Sequence, residues 1–155
     1  MSQKSELARK FPDSLIKPAP QGKFGDYIPH HTINQRLLEV LDHLDFEIKE
    51  VIRGHAPAYL KRNSGEIIRP ERNDAIVGCI AVMRTTIDGQ AYVVEEIGAE
   101  ENPQMHNDAE NLKNAASDAY KRCAMRLGVG LHLWAQDSYY LDKSLAKQEN
   151  NENAG

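Results

Sequence analysis

Residues 75–97 read Ala75-Ile76-Val77-Gly78-Cys79-Ile80-Ala81-Val82-Met83-Arg84-Thr85-Thr86-Ile87-Asp88-Gly89-Gln90-Ala91-Tyr92-Val93-Val94-Glu95-Glu96-Ile97. Two apolar runs rich in β-branched residues flank Asp88-Gly89, a dipeptide that accepts the positive φ angles of a two-residue hairpin loop. The stretch therefore predicts two antiparallel strands joined by a tight turn. Upstream, residues 46–53 alternate apolar and polar positions and predict a third strand. Between it and Ala75, residues 59–69 predict a shorter hairpin around Asn63-Ser64-Gly65.

Helical spacing brackets these strands. Ile33, Leu37, Val40, Leu41 and Leu44 recur along one face, with Thr32 and Gln35 in a capping-box pattern ahead of them. After the acidic stretch 98–106, Asn107 and Glu110 offer a second cap, and Leu112, Ala116, Ala119, Cys123 and Leu127 continue at helical spacing to Gly128. Alanines 109, 115, 116, 119 and 124 make that helix narrow enough to approach a sheet closely. The expected class is α+β: an antiparallel sheet of three or more strands between an N-terminal helix and a long C-terminal helix, in the order β-β-β-α. Pro12, Pro18, Pro20, Pro29, Gly22 and Gly25 mark the stretch 11–29 as extended, and residues 1–26 are expected to form an extended N-terminal arm. Residues 27–141 form the working domain, and the Asn-rich residues 142–155 are expected to be a disordered polar tail.

The chain has 155 residues, a size for one ordinary domain. Its formal charge of −4 excludes a uniformly basic coat, so a polyanion would need a local patch. Such patches exist. Residues 53–72 carry Arg53, Lys61, Arg62, Arg69 and Arg72 against Glu66 and Glu71; residues 113–126 carry Lys113, Lys121, Arg122 and Arg126 against Asp118; residues 88–110 hold no Lys or Arg. Charge alone fits a solvated helix face and a charged hairpin equally well, with Asp118 and Arg122 as an ordinary i,i+4 pair.

Cys79 and Cys123 lack metal-site spacing and read as buried thiols. The histidines are scattered, so no metal site is expected. There is no G-x-x-x-x-G-K-[ST] segment, and nothing points to ATP or another cofactor. The enzyme alternative is a small Mg²⁺-dependent nuclease using Asp13, Glu47 and Lys49, with Glu95-Glu96 as a further carboxylate source. No apolar leader or membrane-length apolar run is present, and a cytoplasmic location is expected.

Two segments carry a family resemblance. Ala116-Ser117-Asp118-Ala119-Tyr120-Lys121-Arg122-Cys123-Ala124 followed by Leu127-Gly128-Val129-Gly130 resembles the A-x-D-A-x-K-R-x-A, then G-[IV]-G, pattern of single-strand annealing proteins of the Rad-fifty-two type, a group that includes bacterial DdrA proteins and phage proteins of the Erf kind. Residues 76–84 with Asp88-Gly89 and Tyr92 are similar to that family's central hairpin, and Ile33-Asn34 also match. The resemblance covers about residues 27–134. It implies ATP-independent binding of single-stranded DNA and annealing of complementary strands to duplex, in recombination and repair, by a homo-oligomeric ring or helical filament rather than an enzyme. It also implies a bacterial or phage-encoded setting, with a recombinase, exonuclease or single-strand-binding protein as partner.

Carried over by position, Lys121 and Arg122 match the family's basic pair on the long helix. Arg84 lies on the matching strand, and His31 falls where some relatives place an arginine. A third family arginine corresponds to Met125, beside which Arg126 offers a substitute. Arg53, Lys61 and Arg62, from the basic stretch, complete the expected DNA contacts. Tyr120 and Trp134 are the nearest aromatic candidates for stacking on bases, with packing as the plainer role.

Overall fold

The computed structural model describes residues 1–19 and 25–155, so Pro20 and Gly22 of the expected arm lie outside the described residues. In chain order the elements are α1 (Gln3–Ala8), a 3-10 turn (Asp13–Leu15), β1 (Lys17–Pro18), β2 (Asp26–Tyr27), α2 (His30–Val40), β3 (Leu44–Ala56), β4 (Tyr59–Leu60), β5 (Ile67–Arg69), β6 (Arg72–Ile87), β7 (Gln90–Ala99), α3 (Asp108–Arg126), α4 (Leu131–Ala135), a second 3-10 turn (Gln136–Ser138) and α5 (Leu141–Asn153). The main sheet runs β3-β6-β7, with two small two-stranded ribbons, β1-β2 and β4-β5. The class is α+β with antiparallel strands, as the periodicities predict. Among the described residues no helix is long and apolar enough to cross a membrane.

The chain divides into two units. One comprises Phe46–Met83 and Val94–Arg122. Here His55 meets Asn73 at one end of β3 while Phe46 packs beside Ala81 at the other, so β3 and β6 run in opposite directions. The core is thin: Cys79 and Ala81 of β6 lie against Ala115 and Ala119 of α3, with Phe46, Leu112 and Ala116 around them. Small side chains allow this approach, and glycine completes it. A Cβ at Gly98 of β7 would lie 1.8 Å from the Ala115 carbonyl oxygen, and one at Gly78 of β6 would lie 2.7 Å from the Gly98 carbonyl oxygen. No other residue fits at position 98 without displacing α3. Asn107 caps α3 as expected: its Oδ1 accepts from the Glu110 N–H at 2.9 Å, and its Nδ2 donates to Glu110 Oε1 at 3.3 Å.

The other unit comprises Met1–Asp45, Arg84–Val93 and Cys123–Gly155. It contains the β6–β7 turn, where Asp88 and Gly89 adopt φ of 49° and 81°. It also overturns two sequence expectations. The arm opens with helix α1, whose Leu7 and Ala8 are buried together with Phe11, and the polar tail is helix α5. Six residues do not sustain a helix in water by themselves, and this one is held at both ends. At its start, Gln3 and Lys4 N–H groups donate to the Asp88 carboxylate at 2.8 and 3.2 Å, while the Asp88 N–H donates to Gln3 Oε1 at 2.7 Å. At its end, Arg36 Nη1 donates to the Glu6 and Arg9 carbonyls at 3.1 and 2.7 Å, with the guanidinium 4.1 Å from the Phe11 ring centroid.

Glu149 of α5 explains the helical tail. Its Oε1 accepts from the Ser2 N–H, the Ser2 hydroxyl and the Ser5 hydroxyl at 2.9, 2.5 and 2.5 Å, which pulls its carboxyl down to about 2. Leu145, one turn before Glu149 on the same helix, is buried. Helix α2 also departs from expectation, because it starts at His30 with Pro29 at the N-cap. Thr32 is buried within its first turn, so the Thr32–Gln35 capping box is not used.

A candidate nucleic-acid interface on the long helix

Helix α3 presents its alanine face to the sheet. Lys121 follows Ala119 by two positions and therefore points roughly away from that face, half-buried along the helix surface. Arg122 sits on the flank toward β7, where its Nε lies 3.4 Å from Glu96 Oε2. Asp118, the partner expected for Arg122, instead accepts from the Ala99 N–H at 3.0 Å through Oδ2. The i,i+4 pair is thus replaced by two helix-to-strand contacts that fix α3 on β7. Tyr120 is buried edge-on against Phe46 at 5.0 Å between centroids, which is the packing role; burial pushes its hydroxyl pKa up.

At the opposite end of α3, Asp108 collects cations. Arg72 Nη2 lies 3.0 Å from both of its oxygens, Arg53 Nη1 lies 3.4 Å from Oδ2, and the Ile76 N–H donates to Oδ1 at 3.2 Å. Hydrogen bonds from Arg72 and from the Ile76 backbone hold the Asp108 carboxyl below its usual range. Arg53 also donates to the Asp74 carbonyl at 2.8 Å. At 1.5 Å per residue, Asp108 and Arg122 are roughly 20 Å apart along the helix. Arg53 therefore anchors the start of α3 and is not brought beside Lys121 and Arg122.

The remaining candidates are dispersed. Lys61 and Arg62 lie on the exposed β4–β5 hairpin. Arg84, His31 and Arg126 belong to the other unit: Arg84 pairs with Asp45 at 3.2 Å, His31 is exposed at the second position of α2, and Arg126 is exposed at the last position of α3. Of the expected DNA contacts, the structure brings together Lys121 and Arg122. Glu96, which holds Arg122, was not singled out as its partner from sequence, because finding it requires knowing which strand α3 covers.

In the nuclease set, Lys49 Nζ forms an ion pair with Glu95 Oε1 at 2.8 Å, and Asp13 lies on a 3-10 turn of the other unit. Among the described residues no group of three or more His, Cys, Asp or Glu is arranged to hold a metal ion. Cys79 and Cys123 are buried thiols outside any disulfide, as expected.

No curated protein matches this sequence. Residues 2–153, nearly the whole chain, match the family described as Rad52/22 family double-strand break repair protein. With the β-β-β-α core in place and the basic pair on its long helix, the chain belongs to the Rad52/22 family, whose members bind DNA and anneal strands in recombination and repair.

Proposed function

We propose that this chain binds single-stranded DNA through Lys121 and Arg122 of α3 and anneals complementary strands without ATP, as an assembly of several copies in the cytoplasm, where a recombinase, exonuclease or single-strand-binding protein supplies or takes over the strand. The observation that carries the reading is the basic pair on α3, half-exposed and oriented by the Arg122–Glu96 contact. Adjacent cations on a rigid helix capture phosphates and leave bases outward for pairing. Arg126, the other basic residue expected on this helix, belongs to the other unit. Arg53 and Arg84, engaged with Asp108 and Asp45, serve first to hold the structure.

The test is the rate at which two labelled complementary oligonucleotides become duplex without ATP or Mg²⁺. Wild type is expected to accelerate it, and Lys121→Ala, Arg122→Ala to lose the acceleration while remaining folded by circular dichroism, with Lys121→Ala alone, which leaves the Arg122–Glu96 contact in place, losing part of it. The salt dependence of binding should flatten by about 0.7 in log–log slope per phosphate contact removed. Binding without acceleration would identify a passive single-strand or RNA-binding module. Cleavage abolished by EDTA would restore the nuclease.

A further inference from the structure

The chain leaving α1 is held by side chains from three other places in its unit. Arg36 of α2 takes the Glu6 and Arg9 carbonyls, the Tyr139 hydroxyl donates to the Ala8 carbonyl, and the Phe11 N–H donates to His132 Nε2 of α4 at 3.1 Å. The last contact differs in kind from the others. An imidazole nitrogen accepts a hydrogen bond only while it carries no proton, so this geometry requires a neutral His132 with its hydrogen on Nδ1. A second proton would turn the acceptor into a donor facing the Phe11 N–H.

The surroundings make that proton costly. His132 and Phe11 are both buried, and the imidazole has the Phe11 ring 6.2 Å away and the Tyr139 ring 6.0 Å away, centroid to centroid. The charges that face it are Lys10, just past α1, and Arg36 of α2, against Asp142 of α5 and Asp13 of the first 3-10 turn; Arg36 in turn faces Arg9, Glu39 and Glu6. Burial first, then Lys10 and Arg36, push the His132 pKa below its ordinary 6.5, and the two aspartates offset only part of this. Between His132 and Tyr139 the chain passes through Gln136 at φ 49° and ψ −124°, a conformation that favours glycine. Strained backbone persists where its surroundings hold it, and here the residues on both sides are tied to the N-terminal segment.

We propose that His132 is a pH-sensitive latch on the N-terminal segment, closed on Phe11 while neutral and released from it once protonated in mildly acidic solution. Protonation removes the acceptor of the Phe11 N–H and sets a third cation beside Lys10 and Arg36. The start of α1 does not share this trigger, because Glu149, which holds Ser2 and Ser5, titrates at about 2. Opening therefore begins at Phe11 and uncovers its ring together with those of His132 and Tyr139. Because the folded His132 value lies below 6.5, the closed form is fully favoured above 6.5 and is lost as pH falls from there through the folded value. The latch does not rest on the annealing reading.

The experiment follows amide hydrogen exchange of the full chain by NMR from about pH 7.5 to about pH 4.5, corrected for intrinsic exchange rates. Protection of the Phe11 amide is expected to fall about tenfold per pH unit below 6.5 until the folded value is reached, with Leu37 in the middle of α2 unchanged and the His132 ring titrating in the same window. His132→Gln, whose amide oxygen accepts the same N–H and takes no proton, should hold Phe11 protection constant. Flat Phe11 protection in wild type, an equal fall in His132→Gln, or a His132 ring that titrates at or above 6.5 would overturn the latch. So would a fall shared by Leu37, which marks unfolding of the whole unit. If His132→Gln does not fold, the ring titration and the Phe11–Leu37 comparison in wild type decide by themselves.

Discussion

Two stretches of similar positive charge end in opposite circumstances. Around α3, Arg53 and Arg72 converge on Asp108, and Arg122 meets Glu96. In the β4–β5 hairpin, Lys61, Arg62 and Arg69 have no side-chain partner among the described residues. The first set lies beside carboxylates because the helix is pressed against the sheet through a core of alanine and glycine. The second lies on a ribbon with no core of its own. Whether a cation has an anion beside it here follows from the packing, and counting charges along the chain cannot supply that.

The largest effect should come from breaking the docked side. Gly98→Ala forces a methyl group into the Ala115 carbonyl, and a loss of about 3 kcal/mol in unfolding free energy is expected, the upper end for overpacking, measured by urea titration. A smaller loss should follow Asp108→Asn, which leaves Arg53 and Arg72 without their carboxylate: a melting temperature lower by a few degrees. The pH dependence checks its cause. Because the folded Asp108 carboxyl is held below its ordinary value of 3.8, its contribution is fully present above that value and is lost as pH falls from there through the folded value. The variant should lack that component of the acid destabilisation. The smallest effect belongs to the hairpin: Arg62→Ala, Arg69→Ala should leave the stability of the chain within about 0.5 kcal/mol. A large loss there would show the hairpin to be packed like α3 and erase the contrast.

Much of the fold was legible along the chain. Asp88-Gly89 between two β-branched runs predicts the β6–β7 hairpin, and Asn107 with Glu110 predicts the start of α3, since both signals are local and complete within a few residues. Helices α1 and α5 were not legible. Their sequences are polar and short of apolar positions, and they are helical because Asp88, Arg36 and Glu149 satisfy groups far away in sequence. The partner of Arg122 was misread for a related reason: i,i+4 proximity to Asp118 is always available on a helix, but Asp118 is drawn to the Ala99 N–H instead.

The sequence by itself determined the β-β-β-α order, the hairpin turn and the alanine face of α3, because periodicity, turn chemistry and caps act over a few residues. Tertiary structure alone decided that the two polar ends are helices, that Arg53 and Arg72 serve as anchors on Asp108, and that Arg62 and Arg69 have no side-chain partner among the described residues. Those outcomes depend on which distant carboxylate or carbonyl the packing delivers within hydrogen-bonding reach, and at that range the geometry of the fold outweighs proximity along the chain.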